Sequence, residues 1–201
     1  MPRFARRYLP LLAISLAAAL MGTGSLASAS GDHGQRRGHG AGHGRHHSCD
    51  KHCKNGRFSA WDEQWLMMSI EGDRFEIQGG QLAQQKGTTQ KVRDLGSRLV
   101  KDHSKSLADA IELARKLGIE VPDSPSPSQQ WELRAVAQFD GSDFDRWYSD
   151  LVVQDHFQDI QEAKDQVKSG CNRKIRRDAR DEIPVLQEHL RLAQDALASV
   201  S

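Results

Sequence analysis

Four stretches of about 25 residues carry apolar side chains at helical spacing, and the links between them are unequal. The first stretch places Trp65, Met68, Phe75, Glu76, Gly79, Leu82 and Ala83 on one face between Asp62 and Lys86. The second, opened by Thr88 or Thr89 and stopped by Gly118, carries Val92, Leu95, Leu99, His103, Leu107, Ala110 and Leu117. A third begins near Ser142 and carries Phe144, Tyr148, Leu151, Val152, His156, Ile160 and Ala163 up to Ser169-Gly170. The fourth runs from about Asn172 through Ile175, Ile183, Leu186, Leu190, Ala193 and Leu197, with a kink expected at Pro184. No stretch shows sustained strand alternation.

The first and second stretches, and the third and fourth, are joined by short hairpins, whereas about 23 residues separate the second from the third. That long link contains Pro122, Pro125 and Pro127, then a short helix expected over Gln130 to Phe139 with Trp131 and Val136 on it. A 25-residue helix is roughly 40 Å long at about 1.5 Å per residue, and the link is long enough to return along it. The expectation is an all-α, ferritin-like four-helix bundle with a long helix 2 to helix 3 crossover that contains a short extra helix.

Upstream of these stretches the chain changes character twice. Residues 1–29 read as an export signal: Arg3, Arg6 and Arg7 precede an apolar run from Leu9 to Met21, and small residues end at Ala27-Ser28-Ala29. The run is shorter than the roughly 20 residues of a spanning helix, so removal of the leader is expected to leave no transmembrane segment. Residues 30–57 are rich in Gly, His and Arg with almost nothing apolar, a composition expected to be disordered. Six basic side chains (Arg36, Arg37, Arg45, Lys51, Lys54, Arg57) face only Asp32 and Asp50 there, while residues 58–201 hold 19 basic and 25 acidic side chains. A basic arm on an acidic body suits an anionic envelope surface, an envelope protein, or its own domain. It lacks the interleaved aromatics of a nucleic-acid binder, and export argues the same way, so no nucleic acid is expected. Periplasmic or outer-membrane-associated residence is the expected location.

The chain also carries an ordered set of short motifs: Glu71-Gly72-Asp73-Arg74-Phe75-Glu76, Gly80-Gln81-Leu82-Ala83, Asp102-His103-Ser104, Phe144-Asp145-Arg146-Trp147-Tyr148 with His156, Ile183-Pro184-Val185-Leu186 and His189-Leu190. In this order and spacing, from Ser59 to Leu197, the sequence resembles the exported ferritin-like family of predicted outer-membrane proteins described as domain of unknown function 4142. The resemblance implies a ferritin-like bundle in the cell envelope and supplies no activity.

Two groups of residues invite metal. Glu76, His103, His156 and His189 each fall near the middle of a different helix, with Tyr148 on the same stripe and Glu182 seven residues before His189. Imidazoles with a carboxylate suit a transition metal such as Zn, Fe, Mn or Cu. A hydrogen-bonded polar network fixing helix register is the competing reading. A di-iron centre of the Glu-x-x-His type is not supported, because Val100, Val153 and Leu186 stand three residues before the histidines. Asp102, Asp155 and Glu188 adjoin the histidines and point about 100° away around their helices. The second group is the tail, where His33, His39, His43, His46, His47, Cys49, His52 and Cys53 offer soft and borderline ligands for Zn, Cu or Ni. Three cysteines allow at most one internal disulfide; Cys49 and Cys53 are close enough to pair, which leaves Cys171 as a candidate free thiol.

No Gly-rich phosphate loop, nucleophile elbow or His-Glu-x-x-His motif occurs, so no catalytic residue is assigned. The expected function is an exported, non-enzymatic binder of metal or of an envelope partner, with a metal-binding arm. A redox enzyme using the bundle core and a purely structural envelope protein are the alternatives.

Overall fold

The computed structural model describes residues 57–200, in which five helices follow one another: α1 (Ala60–Lys86), α2 (Gln90–Leu117), α3 (Pro127–Val136), α4 (Gly141–Ser169) and α5 (Arg173–Ala198). Several boundaries have a local cause. Ser59 accepts from the Asp62 N–H while the Asp62 carboxylate accepts from the Ser59 N–H, a capping box that starts α1. The Thr89 hydroxyl accepts from the Val92 N–H at the start of α2, and Gly118 closes that helix at φ 75°, where a side chain would be strained. Asn172 caps α5 through the Lys174 and Ile175 N–H groups. The short helix sits earlier than its apolar residues suggest, because Ser126-Pro127 is a cap followed by an N1 proline. Its Val136 is buried, but Trp131 is 65% exposed. Pro184 lies inside α5 without ending it.

The long helices form two antiparallel hairpins, α1 with α2 and α4 with α5, which meet through α1 against α4 and α2 against α5. Two buried aspartates fix the relative direction. Asp62, in the first turn of α1, accepts from the Cys171 and Asn172 N–H groups in the α4–α5 turn. Asp145, near the start of α4, accepts from the Thr88 and Thr89 N–H groups and the Thr88 hydroxyl in the α1–α2 turn. So α1 and α4 run oppositely, and α2 and α4 run the same way. Parallel helices in a bundle require a connection that returns the full length, which is the role of the 118–126 segment and α3. Arg74 Nε donates to Pro122 O (3.0 Å) and Lys86 Nζ to Ala137 O (2.7 Å), pinning the crossover against α1 at both levels. The all-α bundle with its long crossover is thus the one the link lengths specify.

Between α1 and α2 the backbones nearly touch: a Cβ on Gly80 would stand 2.6 Å from Gly96 O, and one on Gly96 2.6 Å from Gly80 O. Only paired glycines allow this approach. The apolar interior is divided in two. One cluster holds Leu66, Ile70, Leu113, Ile160, Ile175 and Leu186; the other holds Leu95, Leu99, Phe144, Tyr148, Val152 and Ala193. Buried polar groups between them, Asp73, Glu76, His103, His156 and His189, form a belt across all four long helices. Among the described residues no helix is long and apolar enough to cross a membrane.

Candidate metal centre

The belt is built from one imidazole each of α2, α4 and α5 and a pair of acids from α1. The His103, His156 and His189 rings lie 5.1 to 5.7 Å apart between centroids, and a ring nitrogen from each falls within 4.8 Å of the others. Each ring has one nitrogen tied to an acceptor outside the group. His103 Nδ1 meets Asp73 Oδ1 at 2.8 Å, His156 Nδ1 meets Val152 O at 3.0 Å, and His189 Nε2 meets Asp102 Oδ2 at 3.0 Å. The remaining nitrogens face inward: His156 Nε2 is 3.2 Å from His189 Nδ1, and the buried His103 Nε2 has no hydrogen-bond partner.

The hydrogen bonds around His156 and His189 are one proton short. The three links Val152 O to His156, His156 to His189, and His189 to Asp102 each need one hydrogen, yet two neutral imidazoles carry only two. A third proton is not available on either ring at neutral pH. Burial pushes His189 down to about 4, and burial together with the neighbouring His103 and His189 charges pushes His156 well below the usual range. Burial likewise lowers His103 to about 4. With each N–H directed at its outer acceptor, the second nitrogen of each ring carries a lone pair.

On the other edge of His156 stands a carboxyl pair. Glu76, Asp155 and His156 bring donor atoms within 4.8 Å of one another, and Glu76 Oε1 lies 3.4 Å from His156 Nδ1. Burial, then the charge of Asp155, raises Glu76 well above the ordinary carboxylate range, and burial raises Asp155. Tyr148 is held protonated by burial and by the Glu76 charge.

A cavity of about 490 Å³ opens from the surface onto this belt, with Asp73, His103 and His189 in its wall. Eight acidic residues line it (Asp73, Asp102, Asp109, Asp159, Glu162, Asp178, Asp181, Glu182) against only Arg98 and Lys105, so its field attracts cations. Burial, and then Asp73, lifts Glu182 to about 8; Ser106 Oγ donates to it at 3.3 Å. Burial, and then Asp155, lifts Asp159 well above its usual range.

The profile of the family described as domain of unknown function (DUF4142) matches residues 47–196. The chain belongs to the DUF4142 family. Among solved structures, the DUF4142 chain is similar to the crystal structure of a DUF305 fragment from Deinococcus radiodurans, with a TM-score of 0.63 and 10% identity over 71% of this chain and 99% of that one. At that identity the likeness concerns the helical fold alone. No curated protein matches the sequence.

In the DUF4142 domain, His103, His156, His189 and Glu76 share the polar belt, and Tyr148 packs in the apolar cluster beside it, where the Glu76 charge acts on its hydroxyl. Glu182 stands apart from the triad in the cavity wall, bonded to Ser106 rather than beside His189. Four acids were missed by reading stripes: Asp73, Asp102, Asp155 and Asp159. Asp102 does point away from His103, but toward His189 on the neighbouring helix, and Asp155 lies between His156 and Glu76, with His103 near enough to feel its charge. Glu188, by contrast, is bound on the outside to Arg191. A usable signal was present downstream of the histidines, since Ser106 and Asp159 stand three residues after His103 and His156.

Cys171 corrects the sequence reading: it is disulfide-bonded, not a lone thiol, and its partner lies outside the described residues. The fold supplies the reason, because the Asn172 side chain donates to Arg57 O and so sets the α4–α5 turn beside the start of the described chain. The leader and the tail ligands His33, His39, His43, His46, His47, Cys49, His52 and Cys53 also lie outside the described residues.

Proposed function

We propose that this DUF4142 domain binds a transition-metal ion at the His103, His156 and His189 triad and acts as an exported metal-binding protein. One observation carries the reading: each imidazole has one nitrogen at hydrogen-bond distance from an outer acceptor, and a ring nitrogen of each lies within 4.8 Å of the other two. Metal-ligating histidines are held in this way, with a carboxylate or carbonyl setting tautomer and orientation. The spacing agrees. A tetrahedral ion with bonds of about 2.0–2.1 Å to nitrogen holds its donors about 3.3–3.4 Å apart, close to the 3.2 Å between His156 Nε2 and His189 Nδ1. An ion at the convergence also supplies the positive charge that the hydrogen-bond chain is short of.

Three neutral imidazoles favour Zn²⁺, Cu²⁺ or Ni²⁺ over Mg²⁺ or Ca²⁺. The acidic cavity provides a route by which a cation reaches His103 and His189. Export is supported by the leader-like residues 1–29 and by the Cys171 disulfide, a bond that persists in oxidising compartments.

The test is metal content of full-length protein loaded with Zn²⁺ and dialysed. Because the tail also carries ligands, the readout is a difference: a His103→Ala/His189→Ala variant holds about one Zn²⁺ fewer per chain than wild type. Asp102→Asn, which loosens the outer support of His189 along with the Arg98 ion pair, weakens the same site about 10–100-fold. Equal zinc content in wild type and the double variant would refute the site.

A further inference from the structure

The geometry points to a second cation site on the opposite edge of His156, formed by the Glu76 and Asp155 carboxylates beside the Tyr148 hydroxyl, which takes a hard divalent cation of the Mn²⁺ class. It rests on the preceding reading only in that His156 borders both sites, and it stands or falls on different atoms.

Its first support is unmet bonding. Glu76 Oε1, Asp155 Oδ2 and the Tyr148 hydroxyl are buried without hydrogen-bond partners, although Glu76 and Tyr148 are each only 1% exposed. Orphaned oxygens of this kind are rare in folded proteins and call for a water or an ion. Three of them on neighbouring side chains are rarer still. A proton shared between Glu76 and Asp155 satisfies the bond between the two carboxyls. It leaves the buried Tyr148 hydroxyl without a partner.

Charge is the second support. Among the described residues neither Glu76 nor Asp155 forms an ion pair with a lysine or arginine, and Asp73 and Asp159 add negative potential at Glu76. One ion among the imidazoles leaves this acid group without a cation of its own, because it lies across the His156 ring. The third support is donor type. His156 directs its Nδ1–H to Val152 O, so that nitrogen is not a ligand here, and the site offers oxygen only. Carboxylates completed by water suit Mn²⁺ or Mg²⁺, the opposite preference to the three nitrogens on the other edge. Two ions of different hardness would thus flank one imidazole, each selected by its own donors.

The experiment titrates full-length protein, preloaded with Zn²⁺, with Mn²⁺ while the electron paramagnetic resonance signal of free Mn²⁺ is followed. A Glu76→Gln/Asp155→Asn variant should bind one Mn²⁺ fewer per chain than wild type and keep its zinc. Contributions from the tail cancel in that difference. The His103→Ala/His189→Ala variant should lose zinc and keep Mn²⁺. Should the paired acid variant unfold, as read by far-ultraviolet circular dichroism, Glu76→Gln alone is scored by the same criterion. Equal Mn²⁺ binding by wild type and the acid variant overturns the second site, as does loss of Mn²⁺ from the histidine variant. If zinc fails to bind the triad while Mn²⁺ is held through Glu76, the first reading fails and this one stands.

Discussion

Asp62 and Glu76 lie on the same helix, at 0% and 1% exposure, and their surroundings are opposite. Asp62 accepts from the Ser59 N–H and hydroxyl, the Gln166 side chain, and the Cys171 and Asn172 N–H groups, so its carboxylate is saturated. Glu76 has an orphaned oxygen, a second carboxyl against it and no cationic partner among the described residues. The same contrast recurs on α4 between Asp145, bound to three donors of the opposite hairpin, and Asp155 and Asp159, raised by burial. Buried charge alone therefore does not mark a ligand site; buried charge with unmet bonding does. The ends of the bundle use carboxylates to lock turns, and its middle keeps them available.

The contrast breaks if the two kinds of acid respond alike to substitution. Asp62→Ala strands several donors at once, each costing about 1–3 kcal/mol before water relieves some of them, so a loss of about 3–5 kcal/mol is expected in urea unfolding. Asp145→Ala exposes the Thr88 and Thr89 amides at the other end and should cost about 2–4 kcal/mol by the same measurement. Glu76→Gln in chelator should shift stability by less than about 1 kcal/mol, because it removes a charge that burial already disfavours. A Glu76→Gln loss as large as that of Asp62→Ala would make Glu76 another structural clamp.

The smallest effect is a change in pH dependence. Glu182 is raised to about 8 from 4.5, so its contribution is fully present below pH 4.5 and is lost as pH rises through about 8. Metal-free Glu182→Gln should therefore lack the decline in melting temperature that wild type shows over that interval. His103 and His189, lowered from 6.5 to about 4, act in the other direction: their contribution is present above pH 6.5 and lost as pH falls through about 4. The variant should retain that acid limb. An unchanged alkaline slope in Glu182→Gln would show that the carboxyl is solvated in the cavity and not confined by it.

Helix phase made the imidazoles legible because His103, His156 and His189 each fall on an apolar stripe that has one buried direction. The same reasoning failed for Asp102 and Asp155. In a bundle each helix has two neighbours, so a residue turned about 100° from the stripe reaches the adjacent helix instead of water. Asp73 was hidden differently. A lone acid three residues before Glu76 resembles a solvated surface position until its cross-helix partner, His103, is known. Cys171 failed on proximity, since closeness in sequence favoured Cys49 with Cys53 while the fold bonds Cys171.

Period, caps and link lengths are properties of contiguous residues, so the sequence by itself determined that four long helices pair as two hairpins joined by a crossover of bundle length. It also put one imidazole at mid-height on each of three of them. Which nitrogen of each ring is tied down, which carboxylates are saturated, and where a cavity reaches the belt were decided only by tertiary structure. Those depend on contacts a few ångströms long between helices far apart in the chain, and small rotations of a helix decide which partner each side chain meets.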